Sequence, residues 1–153
     1  MMNWTRKRKI VVFLLGFATV VGIYPVSYTL CPRWDVTVVD SSGKPIAGMT
    51  VRRSCNDYSA GKHSEDDRTT DERGRAAFDA QPVRSPTLIR WLGNVINVAT
   101  QGVHASFGRY SYVFAFGHGL EGSPERDGYV EIWTGRSDYM ESRIVAKPLG
   151  FGK

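Results

Sequence analysis

Three small constellations in this 153-residue chain have residue types and spacings that could do chemistry. The first is His118-Gly-Leu-Glu121, which has the His-x-x-Glu spacing that zinc peptidases use. A catalytic zinc needs three protein ligands and an open position. No histidine follows Glu121, only His63 and His104 precede His118, and the motif sits in a glycine-rich stretch. It reads as a loop. The second constellation is the cysteine pair, Cys31 and Cys55. A nucleophilic cysteine must be free and activated, and no His or Cys lies at ligand spacing from either for a metal site. The third is the acidic cluster Glu65-Asp66-Asp67 with Asp71-Glu72. Calcium takes several oxygens from such a loop, but the EF-hand spacing is absent and Arg68 and Arg73 interleave. This reads as a solvated edge strand. No G-x-S-x-G elbow and no Walker or Rossmann glycine loop occurs. The expectation is a protein without catalytic residues, metal or cofactor.

A ligand platform is the remaining chemistry. Tyr110, Tyr112, Phe114, Phe116, Tyr129 and Trp133 could line a carbohydrate surface. At strand alternation they read instead as core. Trp34, Trp91 and Trp133 are the candidates for an exposed platform.

The segment that must place all of this is N-terminal. Arg6-Lys7-Arg8-Lys9 stands directly before an uncharged run, Ile10 to Leu30. A basic cluster before an apolar run is the pattern of an export signal or membrane anchor. Residues 10–30 are about 21 in number, near the roughly 20 that a transmembrane helix needs. The positive-inside rule puts residues 1–9 in the cytosol and residues 31–153 on the exported side, periplasmic or extracellular. The basic cluster also removes four of the twenty Lys and Arg residues, leaving sixteen against fifteen Asp and Glu. A near-neutral remainder has no electrostatic footprint for nucleic acid. On the exported side an even cysteine pair predicts a Cys31–Cys55 disulfide.

The exported part alternates and turns. Asp35 to Asp40 reads as a strand, residues 41–45 as a turn, and Ile46 to Cys55 as a second strand. The two predict a hairpin centred near Gly43, across which Cys31 and Cys55 meet. His63 to Thr70 suits an exposed edge strand, and Ala76-Ala77-Phe78 opens another. Ser85-Pro86 then resembles a helix start. Leu88, Leu92, Val95, Ile96, Ala99 and Val103 follow at helical spacing, so residues 86–101 predict an amphipathic helix stopped by Gly102. Capping an end of the fold is its favoured role, ahead of docking a partner. Lying on the membrane comes last, because Arg90 is nearly its only cation. Strands return at Tyr110 to Phe116, Gly128 to Thr134 and Met140 to Ala146. About seven short strands around one inserted helix predict a mainly β, antiparallel sandwich.

Residues 36–51, with Asp40, Gly43, Pro45 and Gly48, followed by Thr70-Asp71-Glu-Arg-Gly74 and Phe78, resemble the carboxypeptidase regulatory-like domain family. The resemblance covers residues 35–78. It implies a transthyretin-like (prealbumin-like) sandwich and an accessory module rather than a catalytic one. The reading that follows is an envelope-anchored, non-enzymatic β-sandwich for protein–protein interaction or structural support. Its alternative is a module that binds carbohydrate or peptidoglycan fragments, and a hydrolase is remote. A groove floored by two or more exposed aromatics favours the sugar binder, and an apolar patch without a groove favours a protein partner.

Overall fold

The computed structural model describes residues 5–126 and 129–149. It opens with helix α1, Arg6–Ile23, which holds the basic cluster in its first turn. Its apolar part, residues 10–23, is about 21 Å long at 1.5 Å per residue, short of a hydrocarbon core of about 30 Å. No helix among the described residues is long and apolar enough to cross a membrane. The expected span over residues 10–30 is therefore corrected. Tyr24, before a proline, turns to extended backbone, as a pre-proline residue prefers. The chain from Pro25 to Cys31 becomes strand β1. Leu30, taken for the end of a membrane segment, is buried in the folded domain.

Strand β2 is Arg33–Val39, β3 Thr50–Asp57, β4 Lys62–Thr69, β5 Arg75–Phe78 and β6 Gln81–Pro86. Helix α2, Thr87–Gln101, follows. Then come β7 Arg109–Gly117, β8 Leu120–Gly122, β9 Glu125–Arg126, β10 Tyr129–Val130, β11 Tyr139–Val145 and β12 Lys147–Pro148. One sheet has the order β11-β2-β5 and a second the order β12-β8-β7-β3-β4, while β1-β6 and β10-β9 form two-stranded ribbons. The mainly β expectation holds, with short strands added at β1, β6, β8, β9 and β12. The all-antiparallel expectation does not, because β11 runs parallel to β2 over its whole length. Of the strand expected at residues 128–134, Tyr129–Val130 and a bridge from Trp133 to Ser111 are present; Gly128 lies outside the described residues.

Trp34, Val36, Val38, Phe78 and Ile144 of the first sheet share one core with Val51, Val113 and Ala115 of the second, joined by Met49 and Trp133. The expected hairpin is corrected here. β2 and β3 lie in different sheets, and the turn after β2 closes back on its end through a bridge between Val39 and Pro45. Cys31 and Cys55 nevertheless form a disulfide, with Cα atoms 5.6 Å apart. It ties the end of β1 to β3 rather than closing a hairpin.

The motif residues are turn and staple chemistry. Asp40 Oδ1 accepts the Ser42 and Lys44 backbone N–H groups, each at 2.9 Å, and the Ser42 hydroxyl at 2.7 Å. The Ser42 hydroxyl, foremost among these bonds, holds the Asp40 carboxyl below its usual range. Gly43 takes a positive φ inside this turn. Asp71 repeats the device, accepting the Arg73 and Arg75 N–H groups at 2.9 and 2.8 Å. Thr70 joins the two turns. Its hydroxyl donates to the Ile46 carbonyl at 2.8 Å and accepts the Met49 N–H at 2.9 Å, while its carbonyl accepts the Gly48 N–H at 3.0 Å. Gly74 is the closest approach. Its φ is +70°, and a Cβ there would lie 2.5 Å from the Val38 carbonyl and 3.1 Å from Pro45.

Arg53 is the largest buried charge, 2% exposed. Its guanidinium donates to the Pro32 and Asp79 carbonyls at 2.7 and 2.8 Å and to Asp66 at 2.6 Å, and stacks over Phe78 at 4.9 Å. Asp66 also accepts the Gln81 amide at 2.5 Å. Two predictions follow from these contacts. Gly74→Ala combines a disfavoured φ with a backbone collision and is expected to lower stability by about 3 kcal/mol, read as a lower urea midpoint. Arg53→Met leaves two carbonyls unsatisfied and Asp66 unpaired, and is expected to cost about 3–5 kcal/mol. An unchanged midpoint in either variant contradicts the corresponding account.

Candidate functional site

Strand β7 alternates strictly. Ser111, Val113 and Ala115 are buried, and Tyr110, Tyr112, Phe114 and Phe116 point to the other face, half-buried. The expectation that these four rings are core is thus corrected. The interior side of β7 carries its small residues because the two sheets close tightly there, and the rings occupy the outer surface. Tyr58 extends the row. Ring centroids from Tyr58 through Tyr110, Tyr112 and Phe114 to Phe116 are 5.3, 6.2, 6.2 and 5.6 Å apart, with the planes of successive rings within 29°. From residue 110 to residue 116 the row covers roughly 20 Å of strand, at about 3.3 Å per residue.

Polar side chains flank the row in register. On β3, Asn56, Ser54, Arg52 and Thr50 pair with Tyr110, Tyr112, Phe114 and Phe116. One strand further, His63, Glu65 and Asp67 of β4 pair with Asn56, Ser54 and Arg52. Arg52 makes a two-bond fork to Asp67, at 2.7 and 2.8 Å, and lies 5.5 Å over the Phe116 ring. Foremost through the Arg52 hydrogen bond, the Asp67 carboxyl is held below its usual range. His63 Nδ1 is 2.8 Å from Asn56 Oδ1. Of the acidic cluster expected on an edge strand, Glu65, Asp66 and Asp67 lie on β4 at the end of the five-stranded sheet, with Asp66 turned inward to Arg53 and Asp67 outward to Arg52, while Asp71 and Glu72 lie in the turn that follows.

On the opposite side of the row the surface dips into an open cleft of about 630 Å³. Tyr112, Phe114 and Phe116 floor it, and Glu121, Glu125 and Lys147 stand around it. The volume lies within the range of small-ligand sites, and an apolar floor with a few placed polar groups is their usual chemistry. Glu125 and Lys147 carry no sequence signal, because the strands that place them, β9 and β12, have two residues each.

The other candidate residues lie elsewhere. Trp34 is 0% and Trp133 2% exposed, in the core, donating to Ser142 Oγ at 3.0 Å and the Ser137 carbonyl at 2.6 Å. Trp91 is 61% exposed, on α2. The three tryptophans do not share a surface. His118 sits at a turn with positive φ, its Nε2 3.3 Å from the Gly48 carbonyl oxygen, while Glu121 belongs to the cleft. Among the described residues no three His, Cys, Asp or Glu side chains converge on a metal-sized site. Arg6, Lys7, Arg8 and Lys9 form the exposed first turn of α1.

At one end of the row the Tyr58 and Tyr110 hydroxyls share a hydrogen bond of 3.2 Å. That bond, then desolvation, pushes the Tyr110 pKa up to about 12. Because the folded state holds this proton more tightly than an unfolded chain does, the linked stabilisation is present below about pH 10 and is lost as pH rises toward 12. An ultraviolet tyrosinate titration should show this late-titrating group, and Tyr58→Phe should move it back toward 10. Two tyrosines still titrating near 12 in Tyr58→Phe, Tyr28 being the other such group, contradict the assignment.

No family model, curated protein or solved structure matches this chain.

Proposed function

We propose that this chain is a non-catalytic, membrane-associated module that binds a glycan along the outer face of its five-stranded sheet. The aromatic row, three of whose rings floor an open cleft, is the observation that carries this reading. A saccharide presents C–H faces to aromatic rings and hydroxyls to carboxylates and ammonium groups, and the cleft offers both kinds of partner. The rings recur at a spacing comparable to one pyranose unit in an extended chain, so the row suits an oligomer better than a single sugar. A protein partner joining by strand addition is opposed at β4, whose edge carries Lys62, Glu65, Asp67 and Arg68.

The domain is read as a transthyretin-like sandwich outside the cytosol. The Asp40–Gly48 and Thr70–Phe78 turns support the first part. The basic first turn of α1 before its uncharged remainder, together with the Cys31–Cys55 disulfide, supports the second.

Calorimetry of the full chain, in a detergent without a sugar headgroup, tests the function with oligomers of N-acetylglucosamine. Affinity is expected to rise from dimer to tetramer. Phe114→Ala should weaken the tetramer about tenfold, or about 1.4 kcal/mol, with an unchanged circular dichroism spectrum. The glycan reading is abandoned if no oligomer binds, or if Tyr112→Ala/Phe114→Ala binds as well as the parent. Capture of a protein by this face without saccharide binding would likewise replace it with an interaction module.

A further inference from the structure

Helix α2 is turned opposite to the usual surface helix. Its least exposed residues are Arg90, Gly93, Asn94 and Asn97, spaced i, i+3, i+4 and i+7, which is one helical stripe. That polar stripe faces the protein. Arg90 Nε lies 3.8 Å from Asp57 Oδ2, whose side chain is fully buried, and its guanidinium sits 4.5 Å over the Tyr28 ring. A Cβ at Gly93 would collide with the Ser59 carbonyl. Asn97 donates its amide to the Ser106 carbonyl at 3.0 Å. The apolar residues, Leu88, Trp91, Leu92, Val95 and Ile96 among them, are exposed. Arg90 is the only charged residue of α2, so its outward face carries no charge.

This face does not stand alone. β1 pairs with β6 so that Pro25 lies opposite Pro86. α1 ends at Ile23, with one residue between it and Pro25, and α2 begins directly after Pro86. Both helices therefore leave one end of the same ribbon, and they touch: a Cβ at Gly22 would lie 3.4 Å from Leu88 Cβ. The exposed apolar side chains of α1, from Ile10 to Ile23, continue into the exposed face of α2.

We infer that the outward face of α2 is a bilayer-contact surface, embedded at the headgroup–acyl boundary beside α1. The occupant is lipid rather than protein for two reasons. The surface continues that of α1, which is apolar on all sides and begins with four cations that suit anionic headgroups. It also offers no charged group to a protein partner, and its Trp91 suits the interface. Neither helix needs to cross the membrane for the pair to hold the domain on it. The inference rests on reading α1 as membrane-inserted, and the test separates the two.

Full-length chain carrying Trp4→Phe is reconstituted into vesicles of phosphatidylethanolamine and phosphatidylglycerol, with and without brominated acyl chains. Trp34 and Trp133 are buried, which leaves Trp91 as the accessible fluorophore. Flotation with the vesicles reports α1. Loss of most of the Trp91 emission in brominated vesicles, absent when Trp91→Phe is added, reports α2. Flotation with unquenched Trp91 overturns the α2 proposal while leaving α1 inserted, and dimerisation through the α2 face would accompany it if a second copy covers that face. Failure to float overturns both.

Discussion

The guanidinium of Arg53 is the point on which the architecture turns. Pro32 separates β1 from β2, and Asp79 lies between β5 and β6. At these two positions the β2–β5 ladder gives way to the β1–β6 ribbon, and each leaves a carbonyl facing inward. Arg53 on β3 satisfies both with one nitrogen and holds Asp66 of β4 with the other. A planar fork of donors can serve three acceptors at once, and the ammonium of a lysine cannot copy that geometry. Two residues along, Cys55 holds Cys31. One strand of the second sheet thus anchors the base of the ribbon that carries both helices.

This explains why a chain with such exposed apolar surface still has one defined fold. The ribbon is held by a buried charge and a disulfide, not by burial of the helices. α1 has no buried residue and neither has α2. Their apolar surface is free to meet something outside the protein. The same β3 pairs with β7 along eight residues, and so fixes the plane in which the aromatic row stands. Anchor and candidate site share one strand.

Much of the fold was legible where chemistry is local. The turns at Asp40 and Asp71, the α2 stop at Gly102, the charged edge strand and the disulfide all depend on residue types within a few positions, or on compartment logic. What failed were long-range decisions. Nothing local says that β2 and β3 part into different sheets, because Gly43 and Pro45 look the same in a hairpin and in a crossover. Nothing local makes β11 choose a parallel partner. Pro25 did mark the end of α1, yet the uncharged tail after it reads equally well as membrane or strand. Of the candidate site, the rings on β7 were visible as an alternating set, but the walls of the cleft come from strands of two or three residues with no pattern to read.

Periodicity reveals a face but not its sign, and β7 and α2 show the two ways in which the sign is settled. Along residues 110–116 of β7 both faces are uncharged, so volume decides: Ser111, Val113 and Ala115 fit between the sheets, and four large rings do not. On α2 charge decides. Asp57 is buried, accepts the Ser59 and Ala60 N–H groups at 2.9 and 3.3 Å, and still needs a cation for its other oxygen. Leaving a buried carboxylate unpaired costs several kcal/mol, and burying one face of a helix returns about 0.8 kcal/mol per CH₂ only if a matching apolar surface awaits it. No such surface lies under α2, where Tyr28, Asp57 and the Ser59 carbonyl stand. Arg90 therefore faces inward, and the apolar residues that share the helix with it have nowhere to go but out.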